Sequence, residues 1–176
     1  GRAIALALAD AEAMIGIHYY RSVGPAAELK AALTARGLGI ETFAADLCDF
    51  SQAVGLVGQF AAWAGGMDVL VNNAGDMVER RALETIDPDF LRRVMVLNFD
   101  SAVAVTRAAL PHLKAAGRAG GAAIVNMSSL AGRLAGGTGA GAYCAAKGAI
   151  LAWTRNLAKE LGPAGVRVNA VAPGLI

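Results

Sequence analysis

The sequence predicts an α/β fold: a parallel sheet with helices on both faces. Apolar runs of strand length alternate with helix-length periodic segments, the pattern of repeated strand–helix–strand units. The runs are apolar almost without interruption, as strands must be when neither face of their sheet meets water. Small and polar residues collect just after each run, at the end of the sheet where parallel α/β folds bind their ligands.

The elements follow in order. An alanine-rich periodic segment predicts a helix over 2–12, and MIGIHY predicts the first strand over 14–19. A helix over 25–36 leads to a second strand over 39–45, and a helix over 50–63 leads to a third over 68–73. Helices over 88–97 and 99–116 precede a strand over 122–128, and a helix over 142–161 precedes the last strand over 166–172. One helix start is sharply marked, because Asp87 can cap and Pro88 suits the first helical position, where its missing N–H costs nothing.

With 176 residues and neither a composition break nor a Pro/Ser-rich linker, the chain predicts one domain over 1–176. Its 56% hydrophobic and 17% charged residues exclude wholesale disorder. Sixteen basic against 14 acidic residues leave a net charge of only +2 with no basic run, which argues against nucleic acid as a partner. Segments such as 3–9 are too short to span a bilayer, and the start lacks a signal-peptide pattern, so no membrane partner and a cytoplasmic location are expected. Cys48 and Cys144 read as free thiols, His18 and His112 as structural, and no metal site is expected.

The residues just after the apolar runs are the candidates for chemistry. They are Tyr20, Arg21 and Ser22; Asp46 and Leu47; Asn72, Asn73, Ala74 and Gly75; Ser128 and Ser129; and Pro173 and Gly174. Each has an ordinary reading as a turn or cap when seen alone. Their placement at one end of a sheet is what singles them out. In AYCAAKGAILAW, residues 142–153, Tyr143 and Lys147 stand one helical turn apart and can point at the same spot. The plain alternative is a packed ring beside a lysine that reaches to solvent.

Taken together, NNAG at 72–75, VLN ending at Asn98, VNMSS ending at Ser129, YCAAK at 143–147 and VNAVAPG ending at Gly174 resemble the short-chain dehydrogenase/reductase family over essentially the whole chain. The branch it resembles includes 3-oxoacyl-carrier-protein reductases and sugar dehydrogenases. The resemblance implies a Rossmann-type doubly wound sheet, a nicotinamide cofactor and a tetrad of Asn98, Ser129, Tyr143 and Lys147. Counting alone leaves Ser128 and Ser129 both open, and Ser129 is preferred because LAG follows it in the family's Ser-x-x-Gly pattern. The resemblance places cofactor contacts at Gly1, Tyr20, Arg21, Ser22, Asp46, Leu47, Asn73, Ala74, Gly75, Tyr143, Lys147, Pro173, Gly174 and Ile176. It implies a homo-oligomer, tetramer or dimer, paired through the helices at 99–116 and 142–161.

The implied chemistry explains the Tyr–Lys spacing. Carbonyl reduction needs a proton for the developing alkoxide and the reverse reaction needs a base, so one titratable group serves both directions. A free phenol titrates near about 10, and a neighbouring ammonium favours its ionised form. Ser129 would hold the substrate oxygen, a small-molecule carbonyl or alcohol, and Asn98 would position a water linking Lys147 to solvent. NAD enzymes commonly place an acid at the end of the strand now read at 14–19, but YYRSVGPAAE offers none before Glu28. Arg21 and Ser22 could instead cradle a 2′-phosphate, so NADP is expected, with NAD as the second choice.

Two rival functions share parts of this pattern: a cofactor-binding regulatory module without turnover, and a nucleotide-sugar epimerase of the extended branch. The full tetrad argues against the first, and NNAG with VNAVAPG against the second. The family also begins with a strand and a TGxxxGxG loop, of which GRAIA resembles the end, and it continues past PGLI. The chain is therefore expected to be an internal fragment, lacking the first strand and the last.

Overall fold

In the computed structural model, which describes residues 1–174, the chain resolves into two compact units, Gly1–Gly66 and Met67 onward. The first unit runs α1 (Arg2–Asp10), β1 (Ile15–Tyr19), α2 (Val23–Thr34), β2 (Ile40–Ala44) and α3 (Phe50–Ala64). β1 and β2 pair in parallel, Ile15 opposite Ile40 and Tyr19 opposite Ala44. Ala5 and Ala9 of α1 and Leu29 and Leu33 of α2 bury against Ile15 and Ile40 on one face. Phe43 faces the other way, meeting Phe60 and Trp63 of α3 edge-on at 6.1 Å between ring centres. Helices therefore cover both faces, as the unbroken apolar runs require.

Helix ends are set by local chemistry. α1 stops at Asp10, two residues short of the expected 12, where Glu12 takes the left-handed φ of 56° and the Ala13 N–H turns back to the Leu8 carbonyl. α2 starts two residues before the expected 25, because Pro25 is tolerated within a first turn. Asp49 caps α3 by accepting from the Ser51 and Gln52 N–H groups, and those bonds, with the Ser51 hydroxyl foremost, pull its carboxyl down to about 2.

The second unit runs β3 (Val69–Asn72), a 3₁₀ turn (Leu83–Thr85), α4 (Pro88–Met95), α5 (Ser101–Ala119), β4 (Ala122–Met127), α6 (Leu130–Arg133), α7 (Gly141–Leu161) and β5 (Val166–Val171). Its parallel sheet has the order β3-β4-β5, and the row Leu70, Ile124 and Val168 is buried across it. α4 begins as expected, with Asp87 accepting from the Phe90 N–H at 2.7 Å and Pro88 in the first turn.

The two helices expected at 88–97 and 99–116 are one. A π-turn over Val96–Asp100 joins α4 to α5 without a break, making a 32-residue helix long and apolar enough, by length and composition alone, to cross a membrane. Ala102, Val105, Ala109 and Leu113 on one face of that helix are buried in the unit's core. Also unforeseen is α6, four residues long and too short to show a period.

A polar ladder crosses the sheet face that carries α5 and α7. Asn72 donates to Thr106 of α5 at 2.9 Å and to its register partner Asn126 at 2.8 Å. Asn126, fully buried, donates to Thr154 of α7 at 2.9 Å, and Thr154 donates to the Ile150 carbonyl at 2.7 Å. Every rung has a partner, so the ladder fixes β3, β4 and both helices in one register.

Candidate active site

Lys147 does not reach to solvent. Its side chain is buried, and its Nζ donates to the carbonyl of Met127, the last residue of β4, at 2.9 Å. Loss of water around the ammonium lowers its pKa from the ordinary lysine value. Tyr143, one turn earlier on α7, is half-buried against Phe90, Val94, Ala142 and Ala146, and Nζ lies 5.7 Å from its ring centre. The packing on α7 thus holds a phenol and a poorly hydrated ammonium at one spot, as the i, i+4 spacing predicts.

Asn98 reaches the same spot from the π-turn, a widened turn that is frequent at functional sites. Its side chain is almost wholly buried and fully engaged: Nδ2 donates to the Asp76 carbonyl at 2.7 Å and the Val94 carbonyl at 2.9 Å, and Oδ1 accepts from the Asp76 N–H at 3.1 Å. Both side-chain N–H groups are therefore spent on main-chain carbonyls. Gly75 closes the group, because a Cβ there would stand 2.6 Å from Asn98 Oδ1 and 2.8 Å from Lys147 Nζ. Only a residue without a side chain lets the backbone come so near both.

The two serines are sorted by their hydrogen bonds. Ser128 is buried, and its hydroxyl is consumed as a donor to the Lys147 main-chain carbonyl at 2.8 Å. Ser129 is half-buried and caps α6, its Oγ accepting from the Ala131 N–H at 3.1 Å, which leaves the hydroxyl proton free to donate. The Leu130 N–H is tied to the Pro173 carbonyl at 2.7 Å, so α6 and the end of β5 are fixed together. Nearby, Asn73 is exposed and Ala74 half-buried, as is Pro173, while Gly174 is exposed. Ile176 lies outside the described residues.

In the first unit Gly1 is exposed and stands before α1, its carbonyl accepting from the Ala5 N–H. Arg21 lies over the Tyr20 ring at 4.8 Å and donates to its hydroxyl at 3.3 Å, with no acid paired to it among the described residues. Ser22 precedes α2 with its hydroxyl unused as a cap. Asp46 accepts from the Cys48 N–H at 2.9 Å, while Leu47 is buried. His18 bonds the Ala45 carbonyl at 2.9 Å, consistent with a structural role.

The sequence pattern that defines the short chain dehydrogenase family matches residues 1–176. The chain belongs to the short-chain dehydrogenase family. Its fold is the α/β Rossmann type: the chain superposes on the NADH-dependent reductase A1-R′ complexed with NAD with a TM-score of 0.95 at 38% identity, covering 99% of this chain and 73% of that one. A short chain dehydrogenase from Burkholderia cenocepacia in complex with NADP gives a TM-score of 0.91 at 32% identity, covering 99% and 69%. The meso-2,3-butanediol dehydrogenase of Serratia marcescens is 41% identical over 132 residues, 74% of this chain and 50% of that protein. This short-chain dehydrogenase chain spans 59% of the length of two Bacillus subtilis relatives that match all of its 176 residues.

The family's nicotinamide dinucleotide is matched by donors of the right chemistry. Lys147 has three N–H groups, and one is used among the described residues, leaving two for the hydroxyls of a ribose. The missing side chain of Gly75 leaves room beside that ammonium that a Cβ would fill.

Proposed function

We propose that the chain is the cofactor-binding and catalytic core of an NADP-dependent oxidoreductase that interconverts a carbonyl and a secondary alcohol, with NAD as the alternative cofactor. The observation that carries this reading is the pairing of Tyr143 with the buried, lowered-pKa Lys147 beside Gly75 and Asn98. The dinucleotide, when bound, supplies or accepts the hydride. In the reducing direction Tyr143 gives its phenolic proton to the substrate oxygen, and in the oxidising direction the phenolate takes it back. Lys147 favours the phenolate by charge and offers its remaining N–H groups to a ribose. Ser129 donates its free hydroxyl proton to the same substrate oxygen, aligning it for Tyr143.

With both amide N–H groups on the Asp76 and Val94 carbonyls, the Asn98 side chain fixes the backbone beside Lys147, and a water linking Lys147 to solvent would be held by an Asn98 oxygen acting as acceptor. Arg21, with no acid paired to it among the described residues, is the reader of a 2′-phosphate. The protein is proposed to work in the cytoplasm, where the free thiols Cys48 and Cys144 stay reduced, as a homo-oligomer joined through α5 and α7.

The full-length enzyme, screened against β-keto esters, sugars and secondary alcohols with both cofactors, tests the reading. Tyr143→Phe is expected to lower kcat by about 10²- to 10⁴-fold, the usual worth of a general acid, with cofactor affinity nearly unchanged. Near-normal turnover in that variant would remove Tyr143 from the mechanism.

A further inference from the structure

The stretch from Asp76 to Arg81 has no regular secondary structure, yet it is tied down at both ends. Asn98 grips the N–H and C=O of Asp76. At the other end Arg80 Nη1 donates to the carbonyls of Gly136 and Thr138, each at 2.9 Å, and the Arg81 N–H donates to the Gly139 carbonyl at 2.9 Å. Between these anchors Val78 takes a φ of 66°, and the Glu79 N–H closes on the Met77 carbonyl at 2.8 Å, a γ-turn. A β-branched residue in the left-handed region is strained and persists only where its surroundings over-determine it. The two anchors supply that constraint.

The carbonyls that Arg80 holds belong to the loop between Ser129 and Tyr143. Gly136 is wedged between the helices bearing those residues: a Cβ there would stand 3.2 Å from Ala131 Cβ on α6 and 2.8 Å from Cys144 Sγ on α7. Ala131 bonds Ser129 Oγ, and Cys144 follows Tyr143 in sequence. At Gly139, in the left-handed region at 77°, a Cβ would come 3.0 Å from Arg80 Cβ, so the strap and the loop lie in direct contact. We propose that Arg80 is a positioning residue, its guanidinium fixing the Ser129–Tyr143 loop so that the two hydroxyls converge on one substrate oxygen. This rests on the oxidoreductase reading above. Arg80 is exposed, and exposed contacts add little to global stability, so its effect falls on local order and on the chemical step.

The test uses full-length Arg80→Met and Arg80→Lys beside the wild type. Arg80→Met is expected to lower kcat at least roughly 10-fold, as a small misplacement of reacting groups does, with the cofactor dissociation constant and melting temperature nearly unchanged. Amide exchange over 134–141 should speed up, and the pH profile should keep its shape. Arg80→Lys, able to reach one carbonyl as a point charge, should recover part of the rate. Unchanged kcat in Arg80→Met overturns the proposal, and so does a fall in kcat that comes only with lost cofactor affinity and lost global stability. If the wild type turns over and Tyr143→Phe abolishes it while Arg80→Met matches the wild type, this inference alone fails. If the wild type turns over nothing, the oxidoreductase reading fails, and unchanged exchange over 134–141 then also overturns the clamp.

Discussion

At Lys147 the sequence offered two futures for one side chain, an ammonium in water or an ammonium in the interior, and the fold chose the interior. Burial lowers its pKa, so between the folded value and the ordinary lysine value the unfolded chain binds more protons. Stability therefore rises with pH through that window, and the burial penalty is in full force below it. Lys147→Met removes the penalty: at neutral pH the full-length apo protein is expected to be as stable as the wild type or more so by about 1 kcal/mol, as when buried charges give way to apolar groups. Urea midpoints should converge in alkaline buffer, while turnover is lost at every pH. A variant markedly less stable than the wild type at neutral pH would show that the Met127 bond outweighs the desolvation. Arg21 carries a separate prediction. Arg21→Asp exchanges attraction for repulsion at a 2′-phosphate and should move the kcat/KM ratio for NADP over NAD by about 100-fold, equivalent to roughly 3 kcal/mol. An unchanged ratio would mean that Arg21 does not read the phosphate.

Between elements, the Asn72–Asn126 ladder shows how polar side chains inside an apolar sheet stay affordable. Asn126 accepts from Asn72 and donates to Thr154, so each partner relies on it. Asn126→Leu keeps the bulk but strands a half-buried Asn72 N–H and the acceptor side of the buried Thr154 hydroxyl. At about 1–3 kcal/mol for each unsatisfied group, the unfolding free energy should fall by roughly 2–4 kcal/mol, read from urea titration. Thr154→Val, which removes one end of the ladder, should cost less. Equal losses would mean that the ladder does not act through Asn126. The π-turn works at the same scale, since it turns Asn98 inward without ending the helix, and α4 and α5 remain continuous on either side of it.

For the molecule as a whole, the small net charge and the proposed pairing of α5 and α7 lead to a simple hydrodynamic expectation. Sedimentation velocity of the full-length protein at micromolar concentration should show a dimer or tetramer, and a monomer would count against it. Periodicity placed all five strands within two residues at each end, because burial on both faces writes an unbroken apolar run into the chain. Asp87 and Pro88 fixed the start of α4 because capping is a local matter. Resemblance to the family named Asn98, Ser129, Tyr143 and Lys147, and the structure brings Asn98 and Lys147 together at Gly75 with Tyr143 one turn away. Hydrogen-bond partners, by contrast, come from segments distant in sequence. Only the tertiary structure could spend the Ser128 hydroxyl on Lys147, free that of Ser129, commit both N–H groups of Asn98, and set Arg80 on Gly136 and Thr138. Local pattern decides which elements form, because it reports burial and backbone preference; contacts between elements decide which polar atoms remain free for chemistry.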